Sequence, residues 1–79
     1  MYTVYVIQSE KNHSYYTGFT KNLERRLYEH NHNNTRSLIN KGPFTLVYKE
    51  EFFNIQEAME RERQIKSYKG GNAFKKLLV

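Results

Sequence analysis

The segment that most restricts the fold is residues 2–8, Tyr-Thr-Val-Tyr-Val-Ile-Gln, in which apolar and aromatic side chains occupy odd and even positions alike. A strand with one solvent-exposed face alternates between apolar and polar residues, so this run predicts a strand that is covered on both faces. Such a strand lies in the centre of a sheet. A chain of 79 residues has room for one core around it, which predicts a single domain over residues 1–79.

Local patterns predict two further strands and three helices. Tyr15–Thr20 is rich in aromatic and β-branched residues and contains Gly18, which in a strand usually marks a bulge or a close approach by another group. Asn22 and Asn54 suit the N-cap positions of two helices, and Asn31–Pro43 is polar and predicts a long irregular segment. The order is therefore β-β-α-β-α-α. The predicted bounds are strands at Tyr2–Gln8, Tyr15–Thr20 and Phe44–Phe53, and helices from Asn22 to about Asn31, from Asn54 to about Lys66 and at Ala73–Leu78.

The composition excludes several classes of protein. The chain has no cysteine, which excludes disulfide frameworks, thiolate zinc sites and cysteine nucleophiles. No run approaches the roughly 18 apolar residues that a membrane-spanning helix needs. The first residues, Met1 to Lys11, lack the basic residue and the long apolar run of a secretory signal. We therefore expect a cytoplasmic protein that does not bind membranes.

Positive charge is concentrated near the end of the chain. The sequence has 13 Lys and Arg against 8 Asp and Glu, a net charge of +5, and residues 63–79 contain one Arg, four Lys and no acidic residue. Such a stretch is either a solvated surface or a surface that faces phosphate groups. Together with the overall charge it favours nucleic acid as the partner, with Arg63, Lys66 and Lys69 as candidate contacts.

The second predicted helix places a carboxylate among its apolar residues. At about 100° per residue, Ala58, Met59 and Ile65 form one stripe, and Glu62 falls in its middle. A carboxylate there is destabilising unless it is paired or holds a cation. Spacing alone favours a buried ion pair with Lys66, or a side chain that reaches past the core edge, over a metal ligand. If Glu62 does bind a metal, a single carboxylate suits Mg²⁺ better than zinc.

Four polar or aromatic side chains are further candidates for a site. Arg26 and His30 are four residues apart and share a face of the first predicted helix, beside the stripe formed by Leu23 and Leu27. The guanidinium fork of arginine matches phosphate, although spacing alone favours an exposed arginine and a histidine at the core edge. Tyr5 and Tyr16 lie in predicted strands, where packing is the usual role of tyrosine. To deprotonate a water instead, a tyrosine would need its pKa, ordinarily about 10, to fall, which a nearby cation could cause.

Taken in order, these segments resemble the GIY-YIG nuclease family. Thr3-Val4-Tyr5 stands where the first family motif would be, and Tyr16-Thr17-Gly18 stands where the second would be. Residues 20–30 look like the family's arginine-bearing helix, and residues 57–66 look like its acidic helix. The resemblance extends over residues 2–78 and is greatest to small stand-alone domains related to the nuclease module of the bacterial excision-repair incision subunit.

The resemblance implies a fold, an activity and a set of site residues. The fold would be a three-stranded antiparallel sheet flanked by helices, and the activity would be hydrolysis of phosphodiester bonds in DNA with one divalent metal, Mg²⁺ or Mn²⁺. By matching position, Tyr5 would activate the attacking water, and Tyr16 would orient water or phosphate. Arg26 would stabilise charge on the scissile phosphate, His30 would donate a hydrogen bond or shuttle a proton, and Glu62 would hold the metal.

The chain departs from the family pattern at a few positions. Thr3 and Val4 replace the Gly and Ile of the first motif, and Phe19 stands where repair members often carry Lys. The resemblance implies a role in repair or in processing branched or damaged DNA, with a partner protein or a homodimer supplying specificity. One alternative is a catalytically weak nucleic-acid-binding module of the same fold. Another is a protein-interaction domain whose basic surface meets an acidic partner.

Overall fold

The computed structural model describes residues 1–32, 42–69 and 71–78. The α+β class and the order β-β-α-β-α-α are confirmed. Most of the irregular segment predicted at Asn31–Pro43 lies outside the described residues. The elements are strands β1 (Tyr2–Ser9), β2 (Tyr15–Thr20) and β3 (Phe44–Phe52) and helices α1 (Leu23–Asn31), α2 (Ile55–Ser67) and α3 (Asn72–Leu78).

The ends of the strands differ from the predicted ends by one residue, and pairing between strands explains both differences. β1 continues to Ser9 because Ser9 pairs with Phe44, the first residue of β3. β3 ends at Phe52, which pairs with Tyr2, the first residue of β1. Phe53, predicted to lie in the strand, follows the last pair and is 86% exposed. Strand ends therefore depend on the partner strand, which local sequence does not reveal.

β1 is the central strand of an antiparallel sheet with the order β2-β1-β3. Successive side chains of a strand point to opposite faces of the sheet. Val4, Val6 and Ile7 are nevertheless all 0% exposed, so both faces of β1 are covered. This confirms the two-sided burial that the sequence predicts, and it leaves β2 and β3 as the edge strands.

A separate apolar cluster covers each face of the sheet. Residues of α1 pack on one face, and residues of α2 and α3 pack on the other. The sheet separates these two clusters, which matters for the site described below. The buried members are Tyr5, Ile7 and Phe44 on the α1 face, and Val4, Val6, Ala58, Ile65 and Phe74 on the opposite face.

Asparagine caps determine where the first two helices begin. The Asn22 side chain accepts a hydrogen bond from the backbone N–H of Arg25 at 3.1 Å. The Asn54 side chain accepts one from the backbone N–H of Gln56 at 2.7 Å. Each bond satisfies an N–H group that has no partner within the helix, which stabilises the helix by about 1 kcal/mol. Both caps lie at the predicted positions.

A polar network joins α2 to β3. The Tyr48 hydroxyl donates to Oε2 of Glu50 at 2.6 Å, and Nε of Arg61 donates to Oε1 of the same carboxylate at 3.1 Å. Arg61 also donates to the Gln64 side chain at 2.7 Å. Together with the burial of Ala58 and Ile65, this network fixes α2 against the sheet. Side-chain pairs between distant elements are not visible in local sequence patterns.

Candidate active site

A pocket of about 370 Å³ lies around the outer edge of β2 and is lined by residues of β1, β2, α1 and α2. We call this candidate site the active-site pocket. Four successive residues, Tyr16 to Phe19, form its β2 wall, so the pocket reaches both faces of the sheet at this edge. Lys66 also lines it. The structure thus brings together all five residues that the sequence comparison nominates for catalysis, namely Tyr5, Tyr16, Arg26, His30 and Glu62.

The ring of Tyr5 lies across Gly18 of the neighbouring strand. Tyr5 and Gly18 are direct cross-strand partners. A Cβ atom on Gly18 would lie 2.6 Å from the Tyr5 hydroxyl oxygen and 2.9 Å from Cζ, closer than real Cβ contacts. Only glycine at this position lets the tyrosine ring cross the strand and reach the pocket. The close approach expected at the strand glycine is therefore confirmed.

Tyr5 and His30 form a buried pair at the base of the pocket. The Tyr5 hydroxyl oxygen lies 3.0 Å from Nε2 of His30, and the residues are 4% and 3% exposed. Burial, and then the positive charge of Arg26, lower the pKa of His30 below its ordinary value of 6.5. His30 is therefore neutral near pH 7. A neutral imidazole has one nitrogen that accepts a proton, which makes Nε2 a possible acceptor for the tyrosine proton.

Arg26 brings a permanent positive charge to the same pocket. A hydrogen bond to Tyr5 is the largest contribution that raises the pKa of Arg26, and Glu29 lies 3.4 Å from its Nη1 atom. Because a guanidinium can only donate, the Tyr5 oxygen is the acceptor of the bond with Arg26. The arginine side chain is 43% exposed, so its remaining donors can reach a ligand in the pocket.

The pKa of Tyr5 is raised, whereas a tyrosine that acts as a free phenolate base needs a lowered pKa. Burial raises it above its ordinary value of 10.0, and Arg26 opposes this only in part. A cation near the tyrosine is present, as the sequence analysis required, but desolvation outweighs it. Tyr5 is thus a neutral phenol near pH 7, and proton abstraction by it needs a simultaneous acceptor for its own proton.

Tyr16 lines the active-site pocket and packs against Phe44. The two rings meet edge to face, with centroids 5.6 Å apart and planes at 87°. Phe44 belongs to the buried cluster on the α1 face, so it restricts the orientation of the Tyr16 ring. This contact serves the packing role that tyrosine usually has in strands, while the ring still lines the active-site pocket.

Glu62 lies at the mouth of the pocket and is not deeply buried. Its side chain is 20% exposed, and Oε1 lies 3.7 Å from Nζ of Lys66, whose side chain is 56% exposed. The ion pair that spacing favours is therefore present, but the expectation that it is buried is wrong. Met59, assigned to the same inner stripe, is 42% exposed. The apolar face of α2 is thus narrower than predicted, with Ala58 and Ile65 as its buried residues.

The donor set of the pocket fits a cation that keeps much of its own water. Among the residues that the structure describes, no group of three or more His, Asp or Glu side chains comes together as a metal cage. Glu62 is the carboxylate that lines the pocket, whose volume of about 370 Å³ leaves room for water and a phosphate group. Mg²⁺ typically binds through one or two carboxylates, several waters and substrate phosphates. The residues present fit such an ion.

Two further pockets continue from the active-site pocket along β2. One, of about 560 Å³, shares Tyr16, Thr17 and Lys66 with it and also contains Lys69. Of the candidate nucleic-acid contacts from the sequence, Arg26, Lys66 and Lys69 line these cavities. Arg63, also among the described residues, is exposed and lies outside their linings, so its role stays a prediction.

The other neighbouring pocket contains basic residues that the sequence analysis missed. It has a volume of about 400 Å³, shares Phe19 and Arg26 with the active-site pocket, and adds Lys21 and Arg25. The sequence indicated a basic surface only where acidic residues are absent, at residues 63–79. Lys21 and Arg25 lie close to Glu24 and Glu29 in sequence and were therefore missed. The structure brings them to the same edge as Lys66.

Comparison with known proteins identifies the family of this chain. A family model for the GIY-YIG catalytic domain matches residues 1–75. The chain belongs to the GIY-YIG family. The GIY-YIG catalytic domain is a nuclease-type domain, so a nucleic acid is the implied substrate, and nucleases of this family generally depend on a divalent metal.

Several GIY-YIG relatives are small proteins of similar length. The chain is 44% identical over 64 residues to the UPF0213 protein CPE1444 of Clostridium perfringens, which covers 80% of this chain and 68% of the relative. It is 40% identical over 67 residues to the UPF0213 protein VNG_2274C of Halobacterium salinarum, covering 84% and 86%. The solution NMR structure of the UPF0213 protein BH0048 from Bacillus halodurans shares 30% identity and a TM-score of 0.52 over 92% of this chain and 90% of that one.

The lengths of the described helices bear on whether they could span a membrane. Within the described part of the chain, no helix is both long enough and apolar enough to cross a membrane. The longest described helix, α2, has 13 residues and carries acidic and basic side chains.

Proposed function

We propose that this protein is a Mg²⁺-dependent endonuclease that hydrolyses phosphodiester bonds in DNA. The observation that carries the proposal is the convergence of Tyr5, His30, Arg26 and Glu62 on one pocket from three different elements. A glycine in the adjacent strand makes room for the tyrosine ring to reach this pocket. A proton acceptor, a fork of hydrogen-bond donors and a carboxylate around one open cavity are the groups that metal-assisted hydrolysis of a phosphodiester uses.

Arg26 binds and stabilises the phosphate. Its guanidinium offers several donors in a plane, of which one side is engaged with Tyr5 and Glu29. Arg26 lines the pocket and is 43% exposed, so its other donors are available to the phosphate oxygens, on which negative charge rises as water attacks. Donors that strengthen as charge develops lower the barrier, typically by a few kcal/mol each.

Tyr5 and His30 together remove the proton of the attacking water. As the water oxygen bonds to phosphorus, its proton passes to the Tyr5 oxygen, and the Tyr5 proton passes to Nε2 of His30 over the 3.0 Å contact. The phosphorus–oxygen bond to the leaving group breaks, and that oxygen takes a proton from solvent. No free phenolate is formed, so the raised pKa of Tyr5 is compatible with this role.

Glu62 supplies the carboxylate for the divalent ion. When bound, Mg²⁺ or Mn²⁺ would polarise the phosphate and offset the charge of the leaving oxygen. Glu62 would hold the ion through its carboxylate, of which Oε1 lies 3.7 Å from Nζ of Lys66, and the exposed lysine would remain close enough to contact a neighbouring phosphate. Tyr16 orients the water or phosphate from the opposite wall.

A cleavage assay on plain duplex, flap and branched DNA tests the function. The wild-type protein should cut at least one substrate with Mg²⁺ or Mn²⁺ and none in EDTA, while Arg26→Ala should bind but cut far more slowly. Flap or branched substrates as the best substrates would support a repair or processing role. Binding without metal-dependent cleavage of any substrate would instead support a catalytically weak binding module.

A further inference from the structure

The larger pocket beside the active-site pocket has the chemistry of a nucleotide site. We call it the flanking pocket. Its volume is about 560 Å³, within the range of small-molecule sites in proteins. It lies between β2 and the helices α2 and α3, where Ile65 and Phe74 are 1% and 5% exposed and form an apolar floor. Lys66 and Lys69 provide positive charge.

Tyr15 offers an aromatic face in this pocket. Its ring packs edge to face on Phe74, with centroids 5.0 Å apart and planes at 67°, so a buried residue orients it. Tyr15 is nevertheless 44% exposed, which leaves ring surface open to the cavity. A fixed, accessible aromatic ring above an apolar floor is the arrangement on which nucleobases stack.

Lys69 has a backbone conformation that is unfavourable for residues other than glycine. Its φ angle is 50°, in the left-handed region that glycine or asparagine usually fills after a helix. Residues held in such conformations concentrate at functional sites. The side chain of Lys69 lines the flanking pocket, where it can reach a phosphate group.

The two pockets are contiguous. Tyr16, Thr17 and Lys66 line both, so a strand whose phosphate lies at Arg26 and Glu62 brings an adjoining nucleotide to the flanking pocket. We propose that the flanking pocket binds one unpaired nucleotide of the DNA strand being cut, with its base on Tyr15 and its phosphate at Lys69. This inference rests on the proposed nuclease function and narrows its substrate to DNA that is single-stranded beside the scissile bond.

Base pairing explains why a nucleotide of a duplex should not bind in this pocket. In a duplex, both faces of a base are stacked and its pairing edge is occupied, so the base cannot lie on Tyr15. An unpaired nucleotide presents its face without that penalty, and stacking on an aromatic side chain is tolerant of base identity. The preferred DNA therefore has a single-stranded tail, a frayed end or a flap at the cut.

Binding measurements in EDTA test the pocket separately from catalysis. A short single-stranded DNA oligonucleotide and the blunt duplex of the same sequence are titrated with the full chain and followed by fluorescence anisotropy. Tyr15→Leu, which keeps apolar volume and removes the ring, should weaken single-strand binding about 5- to 150-fold, the range that stacking of one base supports. Tyr15→Phe should bind like the wild type, and duplex binding should change little in either variant.

A matched tyrosine and the strained lysine provide the controls. Tyr28 of α1 is 58% exposed and, among the described residues, lies outside the linings of all three pockets, so Tyr28→Leu should leave single-strand binding unchanged. Lys69→Gly should weaken single-strand binding without lowering the melting temperature, because glycine relieves the positive φ.

The outcomes separate this proposal from the nuclease proposal. If Tyr15→Leu weakens single-strand binding no more than Tyr28→Leu does, the flanking pocket is not a nucleotide site, even if the wild type cleaves DNA with Mg²⁺. If the Tyr15 effect is present but no metal-dependent cleavage occurs, the nucleotide site stands and the nuclease proposal fails. An equal loss on single strand and duplex would also overturn the proposal.

Discussion

The hydroxyl oxygen of Tyr5 occupies space that a Cβ atom on Gly18 would fill, at a separation of 2.6 Å. One residue on the central strand thus depends on the absence of a side chain on the edge strand. The pair also explains how a tyrosine on the most buried strand of the sheet reaches an open pocket.

Gly18→Ala should displace Tyr5 and abolish cleavage. The new methyl group forces the ring to move away from His30, and crowding of this kind should lower the free energy of unfolding by about 1–3 kcal/mol. The control is Gly42→Ala, since a Cβ there would meet its nearest neighbour at an ordinary 3.6 Å. Urea denaturation and cleavage rates measured on both variants check this, and a fully active Gly18→Ala would contradict the proposed role of Tyr5.

Arg26→Ala should lower the cleavage rate by about 10²-fold or more while weakening DNA binding far less, because its donors act on charge that develops in the transition state. Arg26→Lys should restore little activity, since a point charge lacks the planar fork. Arg25→Ala is the comparison, because Arg25 also pairs with Glu29 but is 77% exposed. Its rate and affinity should change in proportion. If Arg26→Ala also lowers the cleavage rate and the DNA affinity in equal proportion, Arg26 is an ordinary phosphate contact and does not act specifically in the transition state.

Glu62→Gln should abolish metal-dependent cleavage and leave DNA binding in EDTA intact or slightly stronger. Its melting temperature in EDTA should stay close to that of the wild type, because the exposed Lys66 partner loses an ion pair worth less than about 1 kcal/mol. Glu60→Gln, an exposed change on the same helix, should retain activity. Retained Mg²⁺-dependent cleavage in Glu62→Gln would rule out the metal-ligand assignment.

His30 should make the protein less stable in acid. Its pKa in the folded protein is held below the ordinary 6.5, so the unfolded chain binds the proton more readily. Above pH 6.5 the imidazole is neutral in both the folded and the unfolded chain, so His30 does not lower the free energy of unfolding. As the pH falls through 6.5 toward the folded pKa, the unfolded chain is protonated first and the free energy of unfolding decreases. Denaturation curves between about pH 8 and about pH 5 should show this loss in the wild type and in His32→Gln, and less of it in His30→Gln. Equal pH dependence in all three would contradict it.

DNA binding should depend steeply on salt. If about four phosphates of a duplex are contacted, the slope of log affinity against log salt should be near −3.6. Arg63→Ala should make the slope shallower by about 0.9 if Arg63 contacts a phosphate, as the sequence predicts. Anisotropy titrations at several salt concentrations measure both slopes. A flat response of the wild type would exclude nucleic acid as the partner.

The sequence predicts the fold well where one segment carries the pattern. The uninterrupted apolar run of β1 requires cover on both faces, and Asn22 and Asn54 mark helix starts through bonds that span only a few residues. The candidate catalytic residues could be named because their order along the chain resembles the family motifs. Physical patterns alone favoured packing or ion pairing for Glu62 and His30.

Features that depend on three-dimensional placement could not be predicted. The network of Tyr48, Glu50 and Arg61 depends on the position of α2 beside β3. The exposure of Lys66 depends on where α2 leaves the sheet edge, which is why the expected buried pair with Glu62 was wrong. The pKa of Tyr5 depends on a balance between burial and Arg26 that no spacing rule contains.

The position of the active-site pocket around the outer edge of β2 limits how this domain can be extended. A further strand paired with β2 would close the gap through which Glu62, on one face of the sheet, meets Arg26, on the other. Strand-mediated assembly at β2 would therefore conflict with the proposed function. Pairing at the other edge strand, β3, would leave the pocket open, although the exposed Lys49 and Glu51 of β3 already discourage accidental pairing. The same reasoning makes the β2 backbone a target for inhibition, because an extended peptide that pairs with it would occupy the gap between Glu62 and Arg26.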